Sequence, residues 1–349
     1  GMDNLKVKNN VIKNFAFAGV DLFPSGIQSS GHEIWNNQIM DLGTYNSSRP
    51  VDNYWGIGVL EYNNAYASIA GNCMTNVRLG VQTGNYHLAN SGSAISTYIQ
   101  TNSIQARSLG IFFNLHYGSA TPLEVTYNSI TPLANVNETD WNGVLVASHA
   151  SVNSTVKNNT IIASGFAPYS KGIEVWNVYP ATHATLLQEN TIIDASLGIF
   201  VNNYDGYNSD ANGSFANASA NNIQNCDTAL YVKDNALSSH NLVGLTATNN
   251  FVTGSQRGVV FTESQANTVS GVVNENSILG AGPSFDASVA NLINGECNWH
   301  GATAAASVAA KVIGNVDYTS WLVNGTDGNV APGFQNTSCS GTPIVIASA

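Results

Sequence analysis

Charge is what this sequence most conspicuously lacks. Of 349 residues only 9% are Asp, Glu, Lys or Arg, against about 25% in a typical soluble domain. Cations are scarcest: 11 Lys and Arg stand against 22 Asp and Glu, a formal net charge of -11. Such a chain is a poor match for nucleic acid or an anionic membrane surface. Long hydrophobic runs are also missing. No segment approaches the ~20 apolar residues of a membrane span, and there is no secretory leader, so membrane insertion is not expected. The opening Gly1-Met2-Asp3 reads as a remnant ahead of an excised or mature segment, so the missing leader does not assign a compartment. Four cysteines are too few for a disulfide framework. Cys297 and Cys339 both lie in the non-repeating C-terminal part and are candidates for a single pair, with buried free thiols as the alternative. The seven histidines show no close zinc-like pair. Glu138-Thr139-Asp140 and Asp205-x4-Asp210 each offer part of a Ca²⁺ site, but neither supplies a full ligand set, so no metal ligand is assigned.

What the chain does have is a repeat. Val156-Lys157-Asn158-Asn159-Thr160-Ile161 reads as an apolar residue, two positions, an Asn, one position, and an apolar residue. The frame recurs around Asn10, Asn37, Asn72, Asn102, Asn128, Asn159, Asn190, Asn221, Asn250 and Asn276. Three residues before each Asn stand Val7, Ile34, Ile69, Ile99, Val125, Val156, Leu187, Ala218, Ala247 and Val273. Two residues after stand Ile12, Ile39, Met74, Ile104, Ile130, Ile161, Ile192, Ile223, Val252 and Ile278. The mean period is about 30 residues, which belongs to a solenoid, propeller or array. Alternation with period two, many β-branched residues and frequent Gly and Asn exclude a helical solenoid. A hydrophobic fraction of 43% excludes disorder.

A second column runs Gly19, Gly56, Gly80, Gly110, Gly143, Gly172, Gly198, Ala229 and Gly258, each beginning a short strand. Each coil therefore reads as a strand into the Asn, a tight turn, a strand leaving it, a Gly bend, a third strand and a variable return. In a parallel coil each column meets its own kind about 4.8 Å above and below. Ile and Val then fill a narrow interior. Asn tolerates a left-handed bend and can bond from rung to rung, and Gly permits the second bend.

Over roughly residues 4–300 the chain resembles the right-handed parallel β-helix proteins of the pectate-lyase-like superfamily. The expected fold is all-β: a single-stranded right-handed parallel β-helix of about ten to eleven rungs, on the order of 50 Å long. It would occupy residues 1–296, with 297–349 as a cap of the same domain. Glu296-Cys297-Asn298-Trp299-His300-Gly301 resembles the Asn-Trp-Trp-Gly sequence that often ends such helices in secreted bacterial proteins, with His300 in place of the second Trp. Asn315-Val316-Asp317-Tyr318-Thr319-Ser320-Trp321-Leu322 resembles the Val-Asp-Tyr-x-x-Trp-Leu segment that follows it there. Between them, Ala302 to Lys311 reads as a short helix. A cap is needed because an open last rung exposes unpaired backbone and bare core. The resemblance implies an extracellular or cell-surface bacterial protein.

With the interior filled, function falls to outward side chains and loops. Counting from each bend Gly, the first and third residues point inward and the second and fourth outward. The second positions include Phe112, Leu145, Glu174, Phe200 and Tyr231, and the fourth include Asn114, Trp176, Asn202 and Lys233. Just beyond lie Glu61, His116, His149, Tyr179, Tyr204, Asp205, Asp234 and Glu263. Aromatics one rung apart beside amides and carboxylates suit a glycan, rings stacking on sugar C–H faces and amides bonding hydroxyls. Candidate ligand contacts are Phe112, Trp176, Phe200, Tyr231, Asn114, Asn202, Tyr179, Tyr204, Trp141 and Trp55. Three insertions between the Asn and Gly columns end in aromatics (Tyr54 and Trp55, Trp141, Phe166 and Tyr169) and would wall one edge of this face. The alternative is that loops cover the strip and make a side core.

The resemblance also supplies tests for catalysis. Polygalacturonase-like hydrolases would show Asn-Thr-Asp, Asp-Asp, Gly-His-Gly and Arg-x-Lys, and alginate epimerase-like enzymes Asp-Pro-His-Asp; none is present. Lyase-like sites need clustered carboxylates for Ca²⁺ and a basic residue. If the chain is a polysaccharide hydrolase or lyase, Glu174 is the first choice for acid or base, aided by Asp205 or Glu263, with His116, His149 and Lys233 as further candidates. The expected partner is a polysaccharide or other glycan and the expected state a monomer. A structural or adhesive stalk without a small-molecule site is the competing expectation, because this fold also serves non-enzymes.

Overall fold

The computed structural model describes residues 3–23, 29–43, 56–62, 65–85, 97–116, 124–133, 138–147, 154–165, 169–176, 184–203, 213–235, 242–336 and 339–341. Its architecture is a parallel β-solenoid. Strands entering the Asn column form a 12-stranded parallel sheet, here the entry sheet. Strands leaving the Asn column form a second parallel face, the exit sheet, in which Ile39 pairs Met74, Ile104 pairs Ile130 and Ile161 pairs Ile192. Strands that begin at the Gly column form the third, the glycine sheet, in which Ile111 pairs Val144, Val144 pairs Ile173 and Ile173 pairs Ile199. Cys73–Asn85 and Ser103–His116 run through the second bend as single strands, joining the exit and glycine sheets.

The Asn column is the seam of the coil. Each column amide donates Nδ2–H to the side-chain oxygen of the next, at 2.8–3.1 Å, in an unbroken series from Asn10 to Asn298. The same oxygen accepts the backbone N–H of the preceding column Asn, for example Asn159 N to Asn190 Oδ1 at 3.0 Å. The second Nδ2–H goes to the carbonyl of the apolar residue three before the preceding Asn, as from Asn190 to Val156 O at 2.8 Å. Every amide atom is used, so the column lies at 1% exposure or less from Asn37 onward without an orphaned polar group.

Two of the expected roles shift by one or two residues. The left-handed backbone sits at the residue before the column Asn, not at the Asn itself: Asn36, Thr101, Tyr127, Asn158, Glu189, Ala220 and Glu275 all have φ between +54° and +61°. The ladder holds the turn from the next residue, so this site tolerates many side chains. In the second coil the Gly column is occupied by Gly58, because Val20 pairs Val59 and Val59 pairs Val81. Gly56, at φ +106°, belongs to the turn before it. A two-residue slip preserves the faces, so the inward and outward reading survives.

The glycines serve close approach more than backbone freedom. A Cβ on Gly172 would lie 2.4 Å from Ile192 Cγ2 and 2.6 Å from the Gly198 carbonyl, and Gly80, Gly110, Gly143 and Gly198 meet the isoleucine of the next coil in the same way. The coil that has Ala229 in this column has the smaller Val252 where most others have Ile. Both columns pack one core, with Ile161, Ile173, Ile192 and Ile199 at 0% exposure. Each such side chain contributes on the order of 2–3 kcal/mol.

Parallel pairing continues beyond residue 297. Asn298 is the last ladder amide, Val312–Gly314 pairs with Phe285–Ser288, and Val316–Asp317 pairs with Ile293–Asn294. A helix spans Ala305–Ala309, inside the expected segment. His300 is fully buried against Phe285, where burial holds its imidazole down to about 4 and therefore neutral. The chain then runs back along the Asn seam. Phe334 packs on Phe251 and exchanges hydrogen bonds with Asn249, and a disulfide joins Cys297 to Cys339. With its ends 42 positions apart in the chain, that bond restricts the unfolded chain by on the order of 4 kcal/mol.

Two substitutions separate the roles of the columns. Asn159→Ala orphans the groups it satisfied on both neighbouring rungs and is expected to destabilise by about 2–3 kcal/mol. Gly172→Ala overpacks Ile192 and is expected to destabilise by about 1–3 kcal/mol. Chemical denaturation measures both, and an unchanged midpoint for either would refute the role given to that column.

Candidate functional site

The glycine sheet carries the expected strip in the expected order: Phe112 pairs Leu145, Leu145 pairs Glu174, Glu174 pairs Phe200 and Phe200 pairs Tyr231. The strip is largely covered. Leu145, Glu174 and Phe200 are 7%, 3% and 4% exposed, while Phe112, Trp176, Tyr231 and Lys233 are half-buried. Phe200 stacks on Tyr231 with ring centroids 5.2 Å apart, so two of the proposed sugar platforms are spent partly on each other.

At the centre, Glu174 is a saturated carboxylate. Its Oε1 accepts from Asn202 Nδ2 at 2.7 Å. Its Oε2 accepts from Asn142 Nδ2 at 2.7 Å and faces Lys171 Nζ at 3.0 Å. Lys171 reaches Asp140 on its other side at 2.8 Å and lies under the ring of Tyr169. Burial alone would lower the lysine pKa. The charges of Glu174 and Asp140 outweigh it and hold the ammonium above the ordinary lysine range. The sequence singled out Glu174 and Asn202 here and places Lys171, with Lys233, as a basic residue near the face, but not Asn142. Register explains that omission: Asn142 precedes its bend Gly and pairs with Lys171 across adjacent rungs, a position outside the columns counted as outward.

Among the described candidates, Glu263 does not reach Glu174. Glu263 lies beyond Val260, three rungs from Glu174, or about 14 Å at rung spacing, whereas paired glycosidase carboxylates stand about 5–10 Å apart. It accepts from the Ala290 backbone N–H instead. Asp234 is buried and bound by Thr268 and Gln265. Trp141, expected on the wall, is at 0% exposure in the core, its Nε1 donating to the Ala106 carbonyl. Asn114 and His116 are placed on their strand by backbone register only. Trp55, His149, Tyr179, Tyr204 and Asp205 lie outside the described residues. Of the residues considered for Ca²⁺, Glu138 is paired with Arg78 and Asp140 with Lys171, and Asp210 lies outside the described residues. Among the described residues no cluster of three His, Cys, Asp or Glu side chains could hold a metal ion.

Glu61 points inward. Counted correctly from Gly58 it is the third residue, and it is 1% exposed and hydrogen-bonded by Thr97. Burial pushes its carboxyl up to about 8, so it stays protonated at neutral pH.

A different surface forms a concave site. On the outer face of the entry sheet a groove of about 450 Å³ runs across several rungs. One column along it is Leu186, Asn217, Thr246 and Val272, and the next is Phe215, Gly244 and Ser270. A Cβ on Gly244 would fall 2.8 Å from the Phe215 ring, so that glycine makes room for the ring on the groove floor. Asn217, Thr246, Ser270 and Val272 are exposed, and none of the described residues that line the groove is charged. The available signal was Gly244, a glycine inside a strand, which marks close approach of another group.

Compared with known proteins, the chain matches no family model, no curated protein and no solved structure.

The buried Glu61 acid sets a pH dependence. Its folded pKa is raised from 4.5 to about 8, so its contribution is complete below about pH 4.5 and is lost as pH rises through about 8. Thermal melts across this range are expected to show that loss in the native chain and its removal in Glu61→Gln. Parallel profiles for the two proteins would refute it.

Proposed function

We propose that this chain is an extracellular or cell-surface β-solenoid of the pectate-lyase-like kind that binds an uncharged polysaccharide along the groove of its entry sheet. One observation carries the reading: a phenylalanine ring laid on the groove floor over Gly244, flanked by Asn217, Thr246 and Ser270, in a concavity whose described lining residues are all uncharged. An aromatic face with hydroxyl and amide groups to either side suits the C–H face and hydroxyls of a neutral sugar. Columns repeat every rung, about 4.8 Å, close to the rise of one sugar unit, so a glycan lying along the coil axis meets one outward residue of each column per step: Asn217, Thr246 and Val272 in one, Phe215, Gly244 and Ser270 in the next. Among the described lining residues there is no cation to pair with a uronate or other acidic glycan, which favours a neutral one.

The covered glycine-sheet strip supports binding rather than cleavage. Glu174 has all its donors in place, and Glu263 is too far away to be its partner. An extracellular setting is supported by the Cys297–Cys339 disulfide, since such bonds persist in oxidising compartments. Bacterial origin and superfamily membership rest on the Asn-Trp-His-Gly and Val-Asp-Tyr-x-x-Trp-Leu segments. A stalk or adhesive role is the second reading, favoured by the rod-like architecture and the covered strip.

A glycan array followed by calorimetry tests the proposal. Binding to neutral polysaccharides is expected, with Phe215→Ala weakening it roughly tenfold or more and Trp176→Ala leaving it unchanged. No neutral glycan bound, or binding insensitive to Phe215→Ala, would favour the stalk. Release of reducing ends that stops in Glu174→Gln would instead make it a hydrolase.

A further inference from the structure

The Lys171, Glu174 and Asn142 cluster has the makings of a self-modification site. Lys171 and Asn142 stand opposite each other on adjacent rungs, and Lys171 Nζ and Asn142 Nδ2 both lie within 3.0 Å of one oxygen, Glu174 Oε2. All three residues are at most 5% exposed. Leu145 and Phe200 flank Glu174 on the neighbouring rungs, and Leu197 flanks Lys171. Asn142 Oδ1 is buried and has no hydrogen-bond partner among the described residues. An amine, a carboxamide and a carboxylate shared between them, sealed from water, are the parts needed to join a lysine to an asparagine.

We propose that Lys171 and Asn142 form an intramolecular isopeptide bond, with Glu174 as its catalytic residue. A proton passes from Lys171 Nζ along its existing hydrogen bond to Glu174. This replaces a buried ion pair with a neutral amine and a neutral acid, an exchange that burial favours and the Asp140 carboxylate opposes. After the Asn142 amide turns its oxygen toward Glu174, the acid donates to Oδ1 and the free amine attacks Cγ. The C–N bond to Nδ2 then breaks. Nitrogen leaves as ammonium, and Glu174 returns to carboxylate. Overall, a lysine ammonium and a primary amide become a secondary amide and an ammonium ion, with no oxidant or cofactor. Asn202 Nδ2 on Glu174 Oε1 positions the carboxylate. Asp140, bonded to the same ammonium, is the half-exposed competitor that favours the charged amine. The product links adjacent rungs covalently, which suits a rod under load.

Intact-mass measurement of the full chain, denatured and reduced, reads the bond as a deficit of about 17 Da, one ammonia. Peptide mapping is expected to recover the segments around residues 142 and 171 as one branched species. Lys171→Arg and Glu174→Ala are expected at full mass, with circular dichroism confirming their fold. Asn142→Asp tests the partner: it is expected to change the deficit to about 18 Da, one water. Native protein at full mass overturns the proposal. A deficit that persists in Lys171→Arg also overturns it, since succinimide formation at Asn142-Gly143 removes the same mass. A native deficit of about 18 Da, or one of about 17 Da that persists in Asn142→Asp, overturns the assignment to Asn142.

Discussion

Everything in this molecule depends on one buried amide being repeated at one spacing. The column asparagine joins three things on each rung: the next column amide, the backbone of the column Asn before it, and the carbonyl of an apolar residue one coil back. Those contacts close only if successive coils superpose at strand spacing. Register is therefore specified at one corner and transmitted to all three sheets. The isoleucine two residues after the Asn falls on the isoleucine of the next coil because the ladder has already aligned them. A buried amide is a hazard wherever it lacks partners, and a help to specificity only where all its atoms are used.

Superposition then decides what the interior accepts. Each core position meets its own column above and below and the facing columns across a narrow lumen. The bend glycine leaves space that the γ-methyl of the next coil's isoleucine fills. A polar group in such a lumen has few partners, and Glu61 responds by staying protonated. The outer faces are under no such rule, so they can differ from rung to rung. On the glycine sheet this freedom produced a buried lysine–carboxylate–amide cluster, and on the entry sheet an open, uncharged groove. Both are assembled from residues about 30 positions apart that become neighbours through the ladder.

Legibility followed repetition. The Asn column, the apolar residues on either side of it and the order of the outward strip were readable because each occurs in nearly every coil and register preserves them. What occurs once was not readable. Gly56 and Gly58 are both plausible bend residues, and only strand pairing shows that Gly58 holds the column place. The left-handed site is nearly invisible in sequence, because asparagine, threonine, tyrosine, glutamate and alanine all occupy it. Trp141 looked like a loop aromatic yet lies in the core, since it stands two residues before Gly143, on the other side of the bend from the positions whose parity was counted.

The sequence by itself determined the parallel coil, its period and which residues line its interior, because those depend on contacts between like residues at a fixed interval. It also made cations scarce, with 11 Lys and Arg against 22 Asp and Glu. Only the tertiary structure decided which outward residues are accessible. Exposure depends on what packs over a position, and the coil period carries no information about that. The same holds for Glu174. Its type and outward direction could be counted from Gly172, but its saturation by Asn142, Lys171 and Asn202 arises from three rungs meeting at one point.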